Sequence, residues 1–399
     1  MTAAALFHGT GRLFDAAFGG VSAVQSPWAI LVEDGRVAWV GTSPQDAPRD
    51  AEPVDLGTAL VTPGLVDSHT HPVFAGDRAD EAASRHTGVA YSGGGILRTM
   101  RHTRAASDEE LELLVERRLD AALAAGTTTV ECKSGYGLST AEELRALHLL
   151  GRVAARHPVR VVRTLLGAHA VPPEAASADA HVLTVCDEMI PAAAAGALAT
   201  FVDVFCDRGF FTVAHVERIA AAAADHGLGL RLHADQLART GAAEAGARLG
   251  AASVDHLEQL DAAGVDVLAA SPTVATLLPA PAIVLRDTLP PARALLDAGA
   301  TVALASDANA GTFSGWGAMP LVIGLGVTLL RMSATEALTA ATRGAAHALD
   351  LAGHAGTLAV GANADLVAWD AVHEGAFGLT LGRVTSRRVF VAGREVTPG

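Results

Sequence analysis

His69 and His71 lie two residues apart, just beyond a short apolar run. On extended backbone alternate side chains share a face, so both imidazoles point the same way, a spacing suited to chelating one divalent ion. Further along, His233, His256 and Asp307 each follow another short apolar run. His233 and Asp307 complete a shell of three imidazoles and a carboxylate. Such a shell would hold Zn2+ or Fe2+ and leave room for a water whose pKa falls towards neutrality. That is hydrolytic equipment. A lone H-x-H pair is weak evidence, because most such pairs sit on surfaces or loops, and the later residues give it weight.

The elements that must position these groups are short β-branched runs alternating with alanine- and leucine-rich helical stretches. Candidate strands are 65–68, 127–132, 160–166, 201–205, 228–232, 253–255, 265–269 and 301–305. Eight is the count a (β/α)8 barrel requires, and barrel enzymes carry their chemistry just after the strands. Polar groups recur at those places: Asp67-Ser68-His69-Thr70-His71, Lys133-Ser134-Gly135-Tyr136, His169, His233-Ala234-Asp235-Gln236, His256 and Ser306-Asp307-Ala308-Asn309. Ser107 with Glu110, and Thr140 with Glu143, read as capping boxes that start helices. No G-x-G-x-x-G follows an early strand, and Gly93-Gly94-Gly95 lacks that spacing.

Short β segments flank this α/β region. At the start, 28–32 and 37–40 enclose a Glu33-Asp34-Gly35-Arg36 turn; at the end, 366–369, Val384 and 389–391 precede a Gly393-Arg394 turn. The predicted organisation is a (β/α)8 TIM-like barrel over 61–351 and a small β-sandwich domain built from 1–60 and 352–399.

Composition narrows the function classes. The 399 residues are 50% hydrophobic and 18% charged, enough for a large core. With 29 basic and 43 acidic residues the net charge is −14, which repels nucleic acid and anionic lipid. All but one of the basic residues are arginine, scattered along the chain, the exception being Lys133. Cys132, Cys186 and Cys206 form no C-x-x-C pair, and no secretory signal is read at the N-terminus, so a cytoplasmic protein is expected. The uncharged stretch 308–330 reads as a loop followed by a buried helix, its continuous apolar part too short to span a bilayer.

The segment Val61-Thr62-Pro63-Gly64-Leu65-Val66-Asp67-Ser68-His69-Thr70-His71 resembles the opening metal motif of the amidohydrolase superfamily. Phe74-Ala75-Gly76-Asp77-Arg78, Gly93-Gly94-Gly95-Ile96, Lys133-Ser134-Gly135-Tyr136-Gly137, Ala168-His169-Ala170-Val171-Pro172-Pro173-Glu174, Asp203-Val204-Phe205-Cys206 and Asn309-Ala310-Gly311-Thr312 are similar to stretches of its imidazolonepropionase family. The likeness covers nearly the whole chain. It implies hydrolytic opening of the 4-imidazolone-5-propanoate ring to N-formimidoyl-L-glutamate, in histidine degradation. It also implies metal ligation by His69, His71, His233 and Asp307, and substrate contacts from Arg78, Tyr136, His169, Gln236, Asn309, Gly311 and Thr312. Arg78 would clamp the propanoate carboxylate. His256 would polarise the ring carbonyl and stabilise its oxyanion, and Asp307 would move the proton from water to the leaving nitrogen.

Two positions depart from the family pattern. Gln236 stands where many relatives have glutamate and is assigned hydrogen bonding to the ring, and Ala310 stands where proline is common. Binuclear superfamily members use a carboxylated lysine after the fourth strand, where this chain has none. One metal is therefore expected unless Cys206 or Asp207 bridges a second. Lys133 either salt-bridges beside the Tyr136 loop or touches substrate. Competing readings are a mononuclear deaminase of a purine or cyclic amidine, and a noncatalytic scaffold that keeps the barrel. The expected partners are a carboxylate-bearing small molecule and, on base rates alone, a second copy in a homodimer.

Overall fold

The computed structural model of the chain describes residues 4–15, 24–88 and 94–396. Gly93, part of the glycine loop quoted above, lies outside them. Eight parallel strands pair in chain order: Leu65–Asp67, Thr127–Lys133, Arg160–Ala168, Phe201–Cys206, Gly229–Ala234, Ser253–His256, Val274–Leu277 and Val302–Leu304. An isolated bridge between Thr70 and Ala308 closes the ring, with the Asp307 N–H donating to His69 O at 3.0 Å and the His71 N–H to Ala308 O at 2.9 Å. The strands are buried nearly throughout, as parallel strands wrapped by helices must be.

Seven of the eight expected strands lie within two residues of the observed bounds, but the seventh does not. Residues 265–269 are the second half of the helix Ala262–Ala269, and the strand is Val274–Leu277. A five-residue apolar run fits a buried strand or a buried helix face equally well. Asp261 decides the matter: its side chain accepts the Gly264 N–H and starts a helix there.

The expected cap at Ser107 forms, its hydroxyl accepting the Glu110 N–H. At the next helix, Thr140–Ala154, Ser139 rather than Thr140 is the cap and accepts from Glu142. Glu143 does not close a box. Its carboxylate leaves the helix for the preceding loop, with consequences for the site. The stretch after Ala308 is a loop followed by the helix Met319–Thr328, as expected. Among the described residues no helix is long and apolar enough to cross a membrane.

The flanking segments form two further sheets. One orders Arg36–Gly41, Trp28–Glu33, Ala5–Gly9 and Glu52–Asp55; the other runs Arg394–Val396, Ser386–Val391, Leu366–Trp369, Leu60–Pro63, Leu13–Phe14 and Val24–Gln25. Phe7, Trp28 and Ile30 from the first meet Leu13, Leu366 and Phe390 from the second in one apolar core, where Phe7 and Phe390 pack edge to face at 4.9 Å. Val384 falls just ahead of the strand Ser386–Val391 rather than in a strand of its own. Leu60–Pro63 pairs antiparallel with Leu366–Trp369, and one residue later the first barrel strand begins. At that junction Gly64 admits no side chain, since a Cβ would lie 2.0 Å from Thr128 Oγ1. The ribbon that carries His69 and His71 is thus pinned from behind.

Candidate metal and active site

The three expected imidazoles converge at the carboxyl end of the barrel. His69 Nε2 lies 3.1 Å from His233 Nε2 and 3.3 Å from His71 Nε2, and the last two are 3.4 Å apart. One ion with Zn–N bonds of about 2.0–2.1 Å at tetrahedral angles would space its nitrogens about 3.3 Å apart, so the triangle has the size of one coordination sphere. Asp307 Oδ1 stands 3.4 Å from His71 Nε2 and 3.7 Å from His69 Nε2. All four side chains are buried.

The protonation states suit ligation. His69 Nδ1 meets Asp255 Oδ2 at 2.6 Å and His233 Nδ1 meets Asp203 Oδ1 at 3.1 Å. A carboxylate only accepts, so both rings carry their proton on Nδ1 and turn an Nε2 lone pair into the triangle. Burial holds both rings below the ordinary imidazole range. For Asp307 burial works towards protonation, but the hydrogen bond from His71 and the charges of His256, His71 and His233 outweigh it and keep the carboxyl low.

Strained backbone aims the strand-end groups. Asp235, His256 and Asp307 have φ of 51°, 84° and 49°, the left-handed region that non-glycine residues rarely occupy. Burial would strip the proton from His256, but Glu258, with a carboxylate oxygen 3.5 Å from Nδ1, Asp307 and Asp255 hold its pKa at about 9. These carboxylates favour the protonated ring of His256, whose centroid lies 5.6 Å from that of His69 and 5.3 Å from that of His233.

His71, Arg78, Tyr136, His169, His233, Gln236, His256, Asp307, Asn309 and Thr312 line one cavity, joined by Ile96 and Phe205. Of the expected substrate contacts only Gly311 is absent from its wall, and its place shows why a glycine is there. The Arg78 guanidinium lies between two glycines: a Cβ on Gly311 would fall 2.0 Å from Nη1, and one on Gly95 2.0 Å from Nη2. Glu81 grips the opposite edge of Arg78 through Nε and Nη2 at 2.8 and 2.6 Å. Gly311 thus leaves the space that the Arg78 guanidinium fills. Asn309 also organises its own loop: its amide nitrogen donates to Asp307 O and Thr312 Oγ1, while its oxygen accepts the Gly311 and Thr312 N–H groups.

Glu143 does the equivalent for the Tyr136 loop. Fully buried, it accepts the N–H groups of Gly135, Gly137 and Leu138 at 2.7–2.8 Å, and Gly135 O in turn accepts the Nδ1 proton of His169 at 2.8 Å. His169 stacks on His71 with ring centroids 5.2 Å apart. Asp207 collects the N–H groups of Gln236, Leu237 and Ala238, and burial pushes the Cys206 thiol up to about 12. Neither is disposed to bridge a second ion. Lys133 pairs with Glu131 at 2.8 Å and Asp203 at 2.7 Å, wholly buried, which assigns it to the barrel interior rather than to substrate.

Sequence reasoning assigned no role to Glu131, Arg231, Asp255 and Glu81, read Glu143 only as a capping partner of Thr140, and quoted Asp203 only as part of a motif. A signal existed for four of the six: Glu131, Asp203, Arg231 and Asp255 are charges inside otherwise apolar strand runs, where lone charges are not stable without partners.

Fold and site together define a class. The amidohydrolase family model matches residues 60–396, and the chain belongs to that family. Within it the chain belongs to the imidazolonepropionase branch. It is 48% identical over 385 residues to the imidazolonepropionase of Ectopseudomonas mendocina, covering 93% of this chain and 94% of that one. It is 49% identical over 346 residues to that of Salinispora arenicola, covering 86% of each. Solved structures share the fold at lower identity. An adenosine deaminase from Xanthomonas campestris with bound zinc superposes with a TM-score of 0.73 at 19% identity, covering 98% of this chain and 92% of that one. An N-isopropylammelide isopropylaminohydrolase from Burkholderia multivorans gives 0.73 at 23%, covering 99% and 98%.

Proposed function

We infer that this protein is a metal-dependent hydrolase that opens the ring of 4-imidazolone-5-propanoate, giving N-formimidoyl-L-glutamate. The observation that carries this reading is the placement of Arg78, held between two glycine faces, in the same cavity wall as His71, His233 and Asp307 of the histidine–carboxylate cluster. The reacting ring needs the cluster and the propanoate needs the cation. The similarity to imidazolonepropionases over most of the chain supports the same substrate. A deaminase acting on a neutral base would leave Arg78 without a role.

His69, His71, His233 and Asp307 would hold one divalent ion, for which we propose zinc or iron, since imidazole and carboxylate donors suit both. When bound, it supplies Lewis acidity and makes a water nucleophilic near neutral pH. The residues do the rest. Arg78 binds the carboxylate and sets the ring's depth. His256, as imidazolium, donates to the ring carbonyl oxygen and stabilises the charge that grows there. Asp307, anionic, takes a proton from the attacking water and returns it to the departing ring nitrogen. Gln236 and Tyr136 hydrogen-bond the ring, and the buried walls exclude bulk water.

The test is loss of the ultraviolet absorbance of freshly prepared 4-imidazolone-5-propanoate, with and without chelator. Chelator-sensitive loss yielding N-formimidoyl-L-glutamate is expected. A fully metallated protein that leaves the compound intact would exclude the substrate. We further propose a cytoplasmic homodimer, on the support of composition and the base rate for such enzymes, which light scattering would check.

A further inference from the structure

Outside the catalytic cavity lies a second, larger one. The inner space is about 30 Å³, room for roughly two waters. The outer space is about 450 Å³, and Arg78 and Thr312 form part of both walls. Three guanidiniums face it: Arg78, Arg85 and Arg118. Two of them share a counter-ion, because Glu81 bridges Arg78 and Arg85 at 2.6 and 2.7 Å.

Arg118 differs. It stands on the helix Asp108–Ala124, and its Nη1 donates to the carbonyl oxygens of Pro72 and Phe74 at 2.6 and 2.8 Å. Among the described residues it makes no ion pair, and the nearby Asp77 caps the Ala79 N–H instead. The guanidinium carbon lies over Phe74, 3.5 Å from the ring centroid, with Trp316 at 5.5 Å. Burial lowers its pKa to about 10, with only the Tyr136 phenol acting the other way, so it keeps its charge at neutral pH. A half-buried arginine that, among the described residues, makes no hydrogen bond through Nε or Nη2, in a chain of net charge −14, is an arrangement that recognises an anion.

We propose that the outer cavity is a second carboxylate-binding site, with Arg118 as its cation, holding a small carboxylate-bearing molecule next to Arg78. The choice of a carboxylate rests on the substrate reading above. Two sources share this chemistry: the substrate or its dicarboxylate product in passage, and a separate small carboxylate that acts as an effector.

The experiment is calorimetric titration of the metal-loaded enzyme with glutarate, a dicarboxylate without a ring to open. Arg118→Met should bind it roughly 10–100-fold more weakly than wild type, the loss of charge-assisted hydrogen bonds. Equal affinity in a folded Arg118→Met protein overturns the proposal. If that variant fails to fold, Arg118→Lys decides: without the planar fork, affinity should fall several-fold, and an unchanged value overturns the site. Competition of glutarate with substrate would assign the site to passage, and binding that alters kcat without competition would assign it to an effector. Because glutarate binding needs no turnover, an enzyme inactive on imidazolonepropanoate that still bound glutarate through Arg118 would sink the substrate reading and leave the site standing.

Discussion

Lys133 and His233 share one buried carboxylate: Lys133 Nζ lies 2.7 Å from Asp203 Oδ2, and His233 Nδ1 lies 3.1 Å from Oδ1 of the same group. A parallel arrangement serves His69, where Asp255 Oδ2 takes both the His69 Nδ1 proton at 2.6 Å and a bond from Arg231 Nη2 at 2.9 Å. Each chain runs cation, carboxylate, imidazole. The carboxylates orient the rings and raise their basicity, and against its burial the charges of His233 and Lys133 hold the Asp203 carboxyl well below the usual range. The chain's one lysine serves the structure beneath the metal site.

Lys133→Met should therefore destabilise the fold by about 3–5 kcal/mol, because it leaves Glu131 and Asp203 buried with their main cation gone. Urea denaturation of the metal-loaded protein measures this. A stability equal to wild type would mean that the pair was not confined to a dry interior.

Asp255→Asn removes the negative charge that orients His69 and offers an NH2 in place of one of the two acceptor oxygens. Metal affinity should fall roughly 10–100-fold, as is usual when such a partner is lost. Competition with a chromogenic chelator reads it directly, and wild-type retention would refute the orienting role.

In Gly311→Ala the new methyl group would occupy the space of the Arg78 guanidinium. The expected result is a KM raised roughly 10–100-fold, the worth of a charge-assisted hydrogen bond to the substrate carboxylate, with little change in kcat. Arg78→Ala should give the same pattern. A KM unchanged in both would place the carboxylate elsewhere.

Glu143→Gln replaces an acceptor of three N–H groups with an amide that must turn an NH2 towards one of them. The Tyr136 loop should shift, and kcat/KM should drop by roughly 10–100-fold, since displacement of about 1 Å can cost that much. Metal content should stay at the wild-type level, because Glu143 touches no ligand. Full activity in this variant would show that the loop holds its shape without the carboxylate.

Residue types and short spacings told a good deal unaided. His69 and His71 share a face because a strand repeats every two residues, and His233, His256 and Asp307 could be placed because each lies at the end of a candidate strand. Local rules faltered where two structures were locally equivalent, as at 265–269, or where a side chain had a distant alternative, as Glu143 did when it left its helix for the loop. What only tertiary structure decided was pairing across the barrel. His69 with Asp255 and Arg78 with Gly311 are separated by scores of residues or more, and no periodicity relates them. Barrel closure brings His69 within hydrogen-bonding distance of Asp255 and sets the Arg78 guanidinium where a side chain at Gly311 would stand, and burial there makes each charge depend on its surroundings.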